Sequence, residues 1–273
     1  MMNYLLFSIS TSADVSWIEL LASLSLLLAT LVISLVFQLQ IGKSVFIACL
    51  RAALQLLAVG LLFSAIFDHR FADTWAWIWV AAMVVIATIV VQRRVSNVGN
   101  LKIPTFLAIT VATGTTFVVV FPLGVFELKP VNIVVIAGIT IGNIMPATVL
   151  AVEQLRDQFQ IRRGEVETLL ALGADETKIR RFLCPQLIRT AITQQIERTK
   201  VVGLIALPGT MTGLLLAGID PIEAVLIQLI VMYMILGATF VTVVVVVWFS
   251  SGRAFTSDQR LSQWTQRGSA EKK

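Results

Sequence analysis

The chain has 273 residues, of which 57% are hydrophobic and only 14% are charged. Soluble domains carry about 25% charged residues, so this composition excludes a soluble domain. Apolar runs of about 20 residues recur along the chain and indicate an all-α integral membrane protein with several transmembrane helices. The net charge of +5 does not indicate nucleic-acid binding, because the basic residues are spread over separate loops. Two cysteines and one histidine provide neither a disulfide framework nor a metal-ligand spacing.

Seven hydrophobic segments predict seven transmembrane helices. In chain order they are 17–38, 45–67, 74–92, 104–122, 131–152, 201–218 and 222–249. Pro104 and Pro130 stand at segment starts, where the missing N–H of proline costs little. The segments therefore predict a transmembrane domain over residues 1–250, followed by a polar tail over 251–273.

The basic residues predict the orientation of these helices. Of the 21 Lys and Arg residues, only Arg70 and Lys129 fall in one set of alternate loops. Arg51 lies inside a segment, and all the others fall in the opposite set of loops or in the tail. Because Lys and Arg concentrate on the cytoplasmic side, we expect the N-terminus outside and the C-terminus inside. Residues 153–200 then form a cytoplasmic loop between the fifth and sixth helices.

No pattern predicts catalysis by this chain. Gly42-Lys43-Ser44 is similar to the end of a phosphate-binding loop, but that loop needs a glycine where Phe37 stands and a strand where a membrane helix precedes. Catalytic triads and zinc-binding helices are also absent from the sequence. We therefore expect no enzyme activity and no cofactor in this chain.

The polar segment 153–200 contains a candidate docking helix. Apolar residues recur at helical spacing from Val166 to Leu183, and Gly173 interrupts them. Pro185 is expected to end a helix or to start the next one. A short amphipathic helix with a glycine at its turn suits a groove on a partner protein. The residues predicted to dock such a partner are Glu167, Leu172, Gly173, Ala174 and Asp175.

This segment resembles the cytoplasmic coupling helix of ABC-transporter permeases. Glu167 stands for the glutamate that opens their motif, Gly173 for its glycine and Pro185 for its distal proline. Thr168-Leu169 replaces the usual two alanines, and the spacing from glycine to proline is slightly short. The alternative interpretation is an interfacial helix that caps the bundle without binding a partner.

A second stretch is similar to the UPF0014 family of permeases. The resemblance is carried by residues 202–213, with Leu207-Pro208-Gly209-Thr210-Met211-Thr212-Gly213, and by Ala217–Ala224. It implies a membrane subunit that works as a homodimer with a separate ABC ATPase. ATP and Mg²⁺ would bind to that partner subunit. The transporter would lie in the cell membrane, and the implied cargo is a metal ion, with iron the first candidate.

The same stretch predicts a broken sixth helix on the transport pathway. Pro208 cannot donate a helical hydrogen bond, so the helix should kink or break there. Gly209 and Gly213 allow close helix contact, and the hydroxyls of Thr210 and Thr212 can bond to carbonyls freed by the break. Broken helices at membrane depth are typical of substrate pathways, although a packing kink at a dimer contact would give the same pattern.

Other candidate pathway residues lie on the fifth and second helices. Asn143 is a polar residue near the middle of the fifth segment, where an unpaired amide is costly. Met145, like Met211, offers soft sulfur to a metal or simply fills a gap in the packing. Arg51 and Gln55 share a face of the second helix. Arg51 either extends to the inner headgroups or pairs within the bundle.

The sequence leaves two alternatives to a metal-exporting ABC permease. One is a stand-alone secondary transporter or channel, which the near absence of carboxylates in the spans disfavours. The other is an ABC permease for a small organic molecule or a nucleotide sugar. The cargo and the direction of transport stay open at this stage.

Overall fold

A computed structural model describes residues 17–39, 41–67, 71–95, 98–203, 207–256, 258 and 260–265. These residues form helices joined by short connections and no β-strand, which confirms the predicted all-α class. They divide into two compact units, one with helices α1 and α2 and one with all later helices. The helices are α1 (Trp17–Val36), α2 (Gly42–Phe67), α3 (Ala72–Arg94), α4 (Lys102–Val120), α5 (Pro130–Ile161), α6 (Arg163–Ala171), α7 (Glu176–Val201), α8 (Gly209–Leu216) and α9 (Pro221–Gly252), with a 3-10 turn at Gln263–Thr265.

Five helices in the described part of the chain are long and apolar enough to cross a membrane. They are α2, α3, α4, α5 and α9, and each overlaps a predicted segment. The apolar stretch described in α1, Leu24–Val36, is shorter than a full span. The sixth predicted segment, 201–218, is not one helix, because α7 ends at Val201 and α8 begins at Gly209. The count of seven spans and their orientation stay predictions.

Prolines and one aspartate set the beginnings of two long helices. Pro130 and Pro221 occupy the first turns of α5 and α9, where the chain has no helical N–H bond to lose. Asp220 caps α9, since its carboxylate accepts hydrogen bonds from the backbone N–H groups of Ile222 at 2.9 Å and Glu223 at 3.4 Å. Such a cap satisfies donors that a helix start leaves unpaired.

The polar segment 153–200 differs from the expected loop with one or two short helices. Helix α5 continues to Ile161, α6 is short, and α7 is a helix of 26 residues. Pro185 was predicted to end or begin a helix, but it lies inside α7. Its ring is on the exposed face, while neighbouring Leu183, Cys184 and Leu187 are buried. Packing of that buried face holds the helix together across the missing hydrogen bond.

A core cluster of the second unit joins the C-terminal parts of α3, α5 and α9 with the first half of α4, with α6, and with α7 from Ile179 to Ile192. The segment after α9 contributes to this core, whereas the sequence predicted only a polar tail. Phe255 is buried, and its ring meets fully buried Phe159 edge to face with centroids 5.8 Å apart. Trp264 packs over Gly99, where a Cβ atom would lie 3.2 Å from the indole.

Candidate functional site

The break between α7 and α8 is the centre of the candidate transport site. Val202 is extended, Gly203 has a φ of +88°, and Pro208 forms the N-cap of α8 with φ −64° and ψ 145°. The predicted interruption of this segment is therefore present, and Pro208 precedes the new helix as its fixed φ favours. Of Gly203, Gly209 and Gly213, only Gly203 has a positive φ, the backbone conformation that favours glycine.

Helix α7 packs antiparallel to α9 over most of its length. Near its start, the Arg180 guanidinium donates to the Ser251 hydroxyl at 2.9 Å and stacks 4.4 Å from the centre of the Trp248 ring. Near its end, Gln195 and Thr199 line the same cavity as α9 residues 228–235. With a rise of about 1.5 Å per residue, these two levels are roughly 25 Å apart. That distance is close to the thickness of a bilayer's hydrocarbon core, about 30 Å.

A cavity of about 240 Å³ lies between α5, α7, the start of α8 and α9. Its polar lining combines an amide from α5, an amide, a guanidinium and a hydroxyl from α7, and an amide from α9. Apolar side chains complete the wall. The lining residues are Asn143, Gln195, Arg198, Thr199, Val201, Val202, Pro208, Gln228, Met232 and Ile235.

Two buried or half-buried amides in this cavity are held by backbone groups. Asn143 donates from Nδ2 to the carbonyl of Ile139 at 2.8 Å, so its own helix satisfies that donor. Gln228 is only 7% exposed, and its Oε1 accepts from the N–H of Met211 at 3.2 Å. Gln228 thus fixes the start of α8 against α9, and its amide nitrogen is left for the cavity.

The predicted pathway residues near the break are only partly brought together. Asn143 and Pro208 line the cavity. Met211 is not part of the lining, but its backbone N–H donates to Gln228, which is. Thr212 donates to the Pro208 carbonyl at 3.2 Å, a bond within the first turn of α8. Thr210, in the first turn of α8, is half-buried and is not part of the lining. The lining also omits the next two predicted positions, Gly209 and Gly213, where added Cβ atoms would meet open space. The close helix contact predicted for this glycine pair is therefore not made within the described chain.

The metal-binding candidates do not form a site in the described residues. Met145 packs against the hydrophobic core cluster and is not part of the cavity lining. The described part of the chain contains no group of three or more His, Cys, Asp or Glu side chains that could hold a metal ion. The other two pathway candidates, Arg51 and Gln55, are exposed on α2, which belongs to the first compact unit.

Reasoning from sequence missed most of the polar residues of the cavity. Gln195, Arg198 and Thr199 fall in the polar segment predicted as a cytoplasmic loop, so nothing in the sequence grouped them with Asn143. Gln228 gave a usable signal, since an amide well inside a 32-residue apolar helix is costly unless it is paired.

The predicted docking segment is an exposed turn on a packed base. Val166 on α6 is buried, whereas Leu172 at the end of α6 is 79% exposed. The turn is a Schellman motif: Gly173, with φ +81°, donates to the Leu170 carbonyl, and Ala174 donates to the Leu169 carbonyl at 2.9 Å. This geometry ends the helix and leaves the leucine side chain facing outward.

The remaining docking residues lie on either side of this turn. Glu167 is half exposed and accepts a hydrogen bond from Arg163 at 2.6 Å, one turn earlier on α6. Ala174 packs against the core cluster. Asp175 precedes α7 as its N-cap residue with no side-chain capping bond. Four of the five predicted docking residues therefore form the turn at Leu172–Asp175, and Glu167 lies apart from them on α6.

The family model for UPF0014, described as an uncharacterised protein family, matches residues 17–255. The chain belongs to the UPF0014 family. The match covers both compact units and ends within the segment that follows α9. Its apolar helices and its relatives identify this UPF0014 chain as a multi-pass membrane protein of a permease family.

Three curated relatives illustrate the range of this family. The rice protein "UPF0014 membrane protein STAR2" is 36% identical over 71% of this chain and 68% of its own length. The Escherichia coli "Probable iron export permease protein FetB" is 29% identical over 89% of this chain and 93% of its own length. The Arabidopsis "Protein ALUMINUM SENSITIVE 3" is 31% identical over 81% of each chain. No solved structure matches the chain significantly.

Proposed function

We propose that this UPF0014 chain is the permease subunit of an ABC transporter that exports a metal ion, with iron the first candidate. It acts as a homodimer in the cell membrane, and a separate subunit binds ATP and Mg²⁺ and hydrolyses the nucleotide. The name of the Escherichia coli relative, an iron export permease, supports the cargo and the direction. The observation that carries the proposal is the exposed docking segment Leu172–Asp175.

The exposed turn at Leu172–Asp175 lies where a displacement by a bound ATPase would be transmitted to the rest of the bundle. An exposed leucine at a glycine turn offers an apolar projection with backbone that a partner can approach closely. Directly beneath it lies the packed core that joins α5, α6, α7 and α9. Because packed interiors move as units, a displacement of this turn would move the α7 base and α9 together.

Helix α7 then connects the docking turn to the cavity. We infer that α7 crosses the membrane with α9 and serves as the sixth span, in place of segment 201–218. Its buried stripe, with Ile179, Leu183 and Leu187, packs inward, while its opposite face is polar. A polar face at membrane depth is stable where it lines water or a second protein copy.

Affinity purification tests the proposed partner. Tagged protein is extracted from its native membranes in mild detergent after crosslinking, and co-purifying proteins are identified by mass spectrometry. We expect an ABC ATPase in near-stoichiometric amount with the wild type. A Leu172→Asp variant should lose at least about nine-tenths of it, because a buried unpaired carboxylate at the interface is costly. Recovery of a folded permease without any ATPase would favour the stand-alone transporter.

A matched substitution controls for general effects of an added charge. Leu123, in the connection after α4, is 73% exposed, close to the value for Leu172. Leu123→Asp should leave ATPase recovery unchanged. Once the partner is known, ATP-driven Fe²⁺ movement in reconstituted vesicles tests the cargo. ATPase binding without Fe²⁺ movement would support the permease assignment and exclude iron as the cargo.

A further inference from the structure

We infer that the cavity at the start of α8 binds an oxyanion, a carboxylate or phosphate group of the transported molecule or of an anionic metal chelate. The cavity is that lined by Asn143, Arg198 and Gln228. This inference assigns a negative charge to the group of the cargo that binds here, and it rests on the proposed transport function. It disfavours a bare metal cation as the species that occupies this cavity.

The charge of the lining is the first argument. Arg198 is the one charged residue among the lining residues described, and no carboxylate is among them. No acidic partner of its guanidinium is found in the described part of the chain. Glu197, its neighbour in sequence, forms an ion pair with Lys200 instead, with 2.7 Å between Nζ and Oε1. The cavity therefore carries a positive charge that nothing described neutralises.

The start of α8 adds to the same field. Pro208 lines the cavity as the N-cap residue, and the next two residues, Gly209 and Thr210, adjoin the cavity without being part of its lining. Helix starts leave backbone N–H donors unpaired and carry a partial positive charge, and the two effects together favour anions. The Met211 donor is satisfied by Gln228. The donors of Gly209 and Thr210 have no hydrogen-bond acceptor among the residues described.

A largely buried amide adds a donor to the cavity. Gln228 is 7% exposed, and its oxygen accepts from Met211. Its amide nitrogen is not one of the fully buried polar atoms that lack a partner, so it faces accessible space at the wall of the cavity. An oxyanion could accept from this nitrogen and from the guanidinium together.

Arg198 is accessible to a ligand, since its side chain is exposed in the described chain. It lies 18 residues along α7 from Arg180, which contacts the C-terminal end of α9. At about 1.5 Å per residue the two are roughly 27 Å apart, close to the full thickness of a hydrocarbon core. If α7 crosses the membrane, Arg198 therefore lies near the surface opposite Arg180, where an anion can reach it from water.

Charged thiol reagents measure the sign of this field without knowledge of the cargo. Thr199 lines the cavity and is replaced by cysteine in a Cys49→Ser background; Cys184 is buried. The purified full chain, in nanodiscs of phosphatidylcholine alone, reacts with anionic or cationic methanethiosulfonates. Each rate is divided by the rate of the same reagent with glutathione. We expect the anionic reagent to be favoured by about tenfold, as a nearby unit charge predicts.

Two arginine variants decide whether Arg198 is the source. Arg198→Gln should lower the anion-to-cation ratio severalfold, while Arg198→Lys should largely keep it. Arg189→Gln removes an exposed guanidinium from the same helix outside the cavity lining, and should leave the ratio unchanged. A ratio near one, a ratio insensitive to Arg198→Gln, or no reaction at Thr199→Cys would overturn the inference.

Protection experiments separate the two sources of the anion. Citrate or pyrophosphate that slows the anionic reagent in phosphatidylcholine nanodiscs indicates a soluble ligand. Slowing only in nanodiscs that contain phosphatidylglycerol indicates a lipid headgroup. If none of these anions slows the reaction, the cavity is positive but binds no oxyanion, and the inference fails. None of these results depends on the ATPase, so the proposed function stands or falls separately.

Discussion

At the scale of single residues, Arg180 ties the docking end of α7 to the end of α9. Its guanidinium donates to Ser251 at 2.9 Å, to Glu176 at 3.1 Å and to the Trp248 carbonyl, and its ring contact with Trp248 adds a cation–π interaction. Gly252 leaves room for this arrangement, since a Cβ atom there would lie 3.2 Å from the Glu176 carboxylate. The side chain is only 14% exposed.

Arg180→Ala should destabilise the bundle by about 2 kcal/mol, because charged hydrogen bonds contribute about 1.5–3 kcal/mol and their loss leaves acceptors unpaired. The apparent melting temperature in detergent should fall by about 5 °C. Arg181→Ala removes an exposed arginine next to it and should change the melting temperature by less than about 1 °C. Equal effects of the two substitutions would contradict the role assigned to Arg180.

At the scale of secondary-structure elements, the turn after α6 depends on one glycine. Gly173 has a φ of +81°, and an added Cβ atom would meet nothing within 4 Å. Backbone strain is therefore the only penalty for a small side chain, and the space for docking stays open. Gly164, at the start of α6, also faces open space but has ordinary helical backbone.

Gly173→Ala should cost about 1 kcal/mol through the left-handed backbone, and Gly164→Ala should leave stability equal or slightly raised. The opposite signs can be measured as apparent melting temperatures of the two purified variants. A larger side chain at Gly173 should in addition weaken ATPase recovery. A Gly173→Trp variant that keeps full recovery would count against docking at this turn.

At the scale of the whole molecule, α8 presents glycines to open space. Added Cβ atoms at Gly209 and Gly213 would meet no atom of the described chain within 4 Å. Small residues four apart allow two helices to approach closely. In the proposed homodimer, we expect this face to meet the second copy, beside the cavity that Pro208 lines.

Gly213→Val should shift the protein from dimer to monomer, because the added branches prevent the close approach. Light scattering of the purified variant coupled to size-exclusion chromatography gives its mass. Gly114→Val is a matched control, since Gly114 also faces open space, but on α4. A dimer that survives Gly213→Val, or a monomeric wild type, would remove α8 from the interface.

The contrast between predicted and observed elements follows the strength of the local signal. Helices α2, α3, α4 and α9 begin and end within three residues of their predicted segments, because length and apolarity are local properties. The turn at Gly173 was also predicted, since the glycine and the apolar spacing are local, and docking at this turn stays a prediction. The sequence identified Asn143 and Pro208 as pathway residues, but not the residues that line the cavity with them, because those residues lie on α7 and α9.

The sequence by itself determined the membrane class, the position of most helices, the break before Pro208 and the turn at Gly173, since each depends on nearby residues. Tertiary structure alone decided that polar α7 runs along α9 and that Arg198 and Gln228 meet at one cavity. It also decided that the segment after α9 joins the core through Phe255. These features depend on which buried stripes pack together, and hydropathy along a chain does not record that choice.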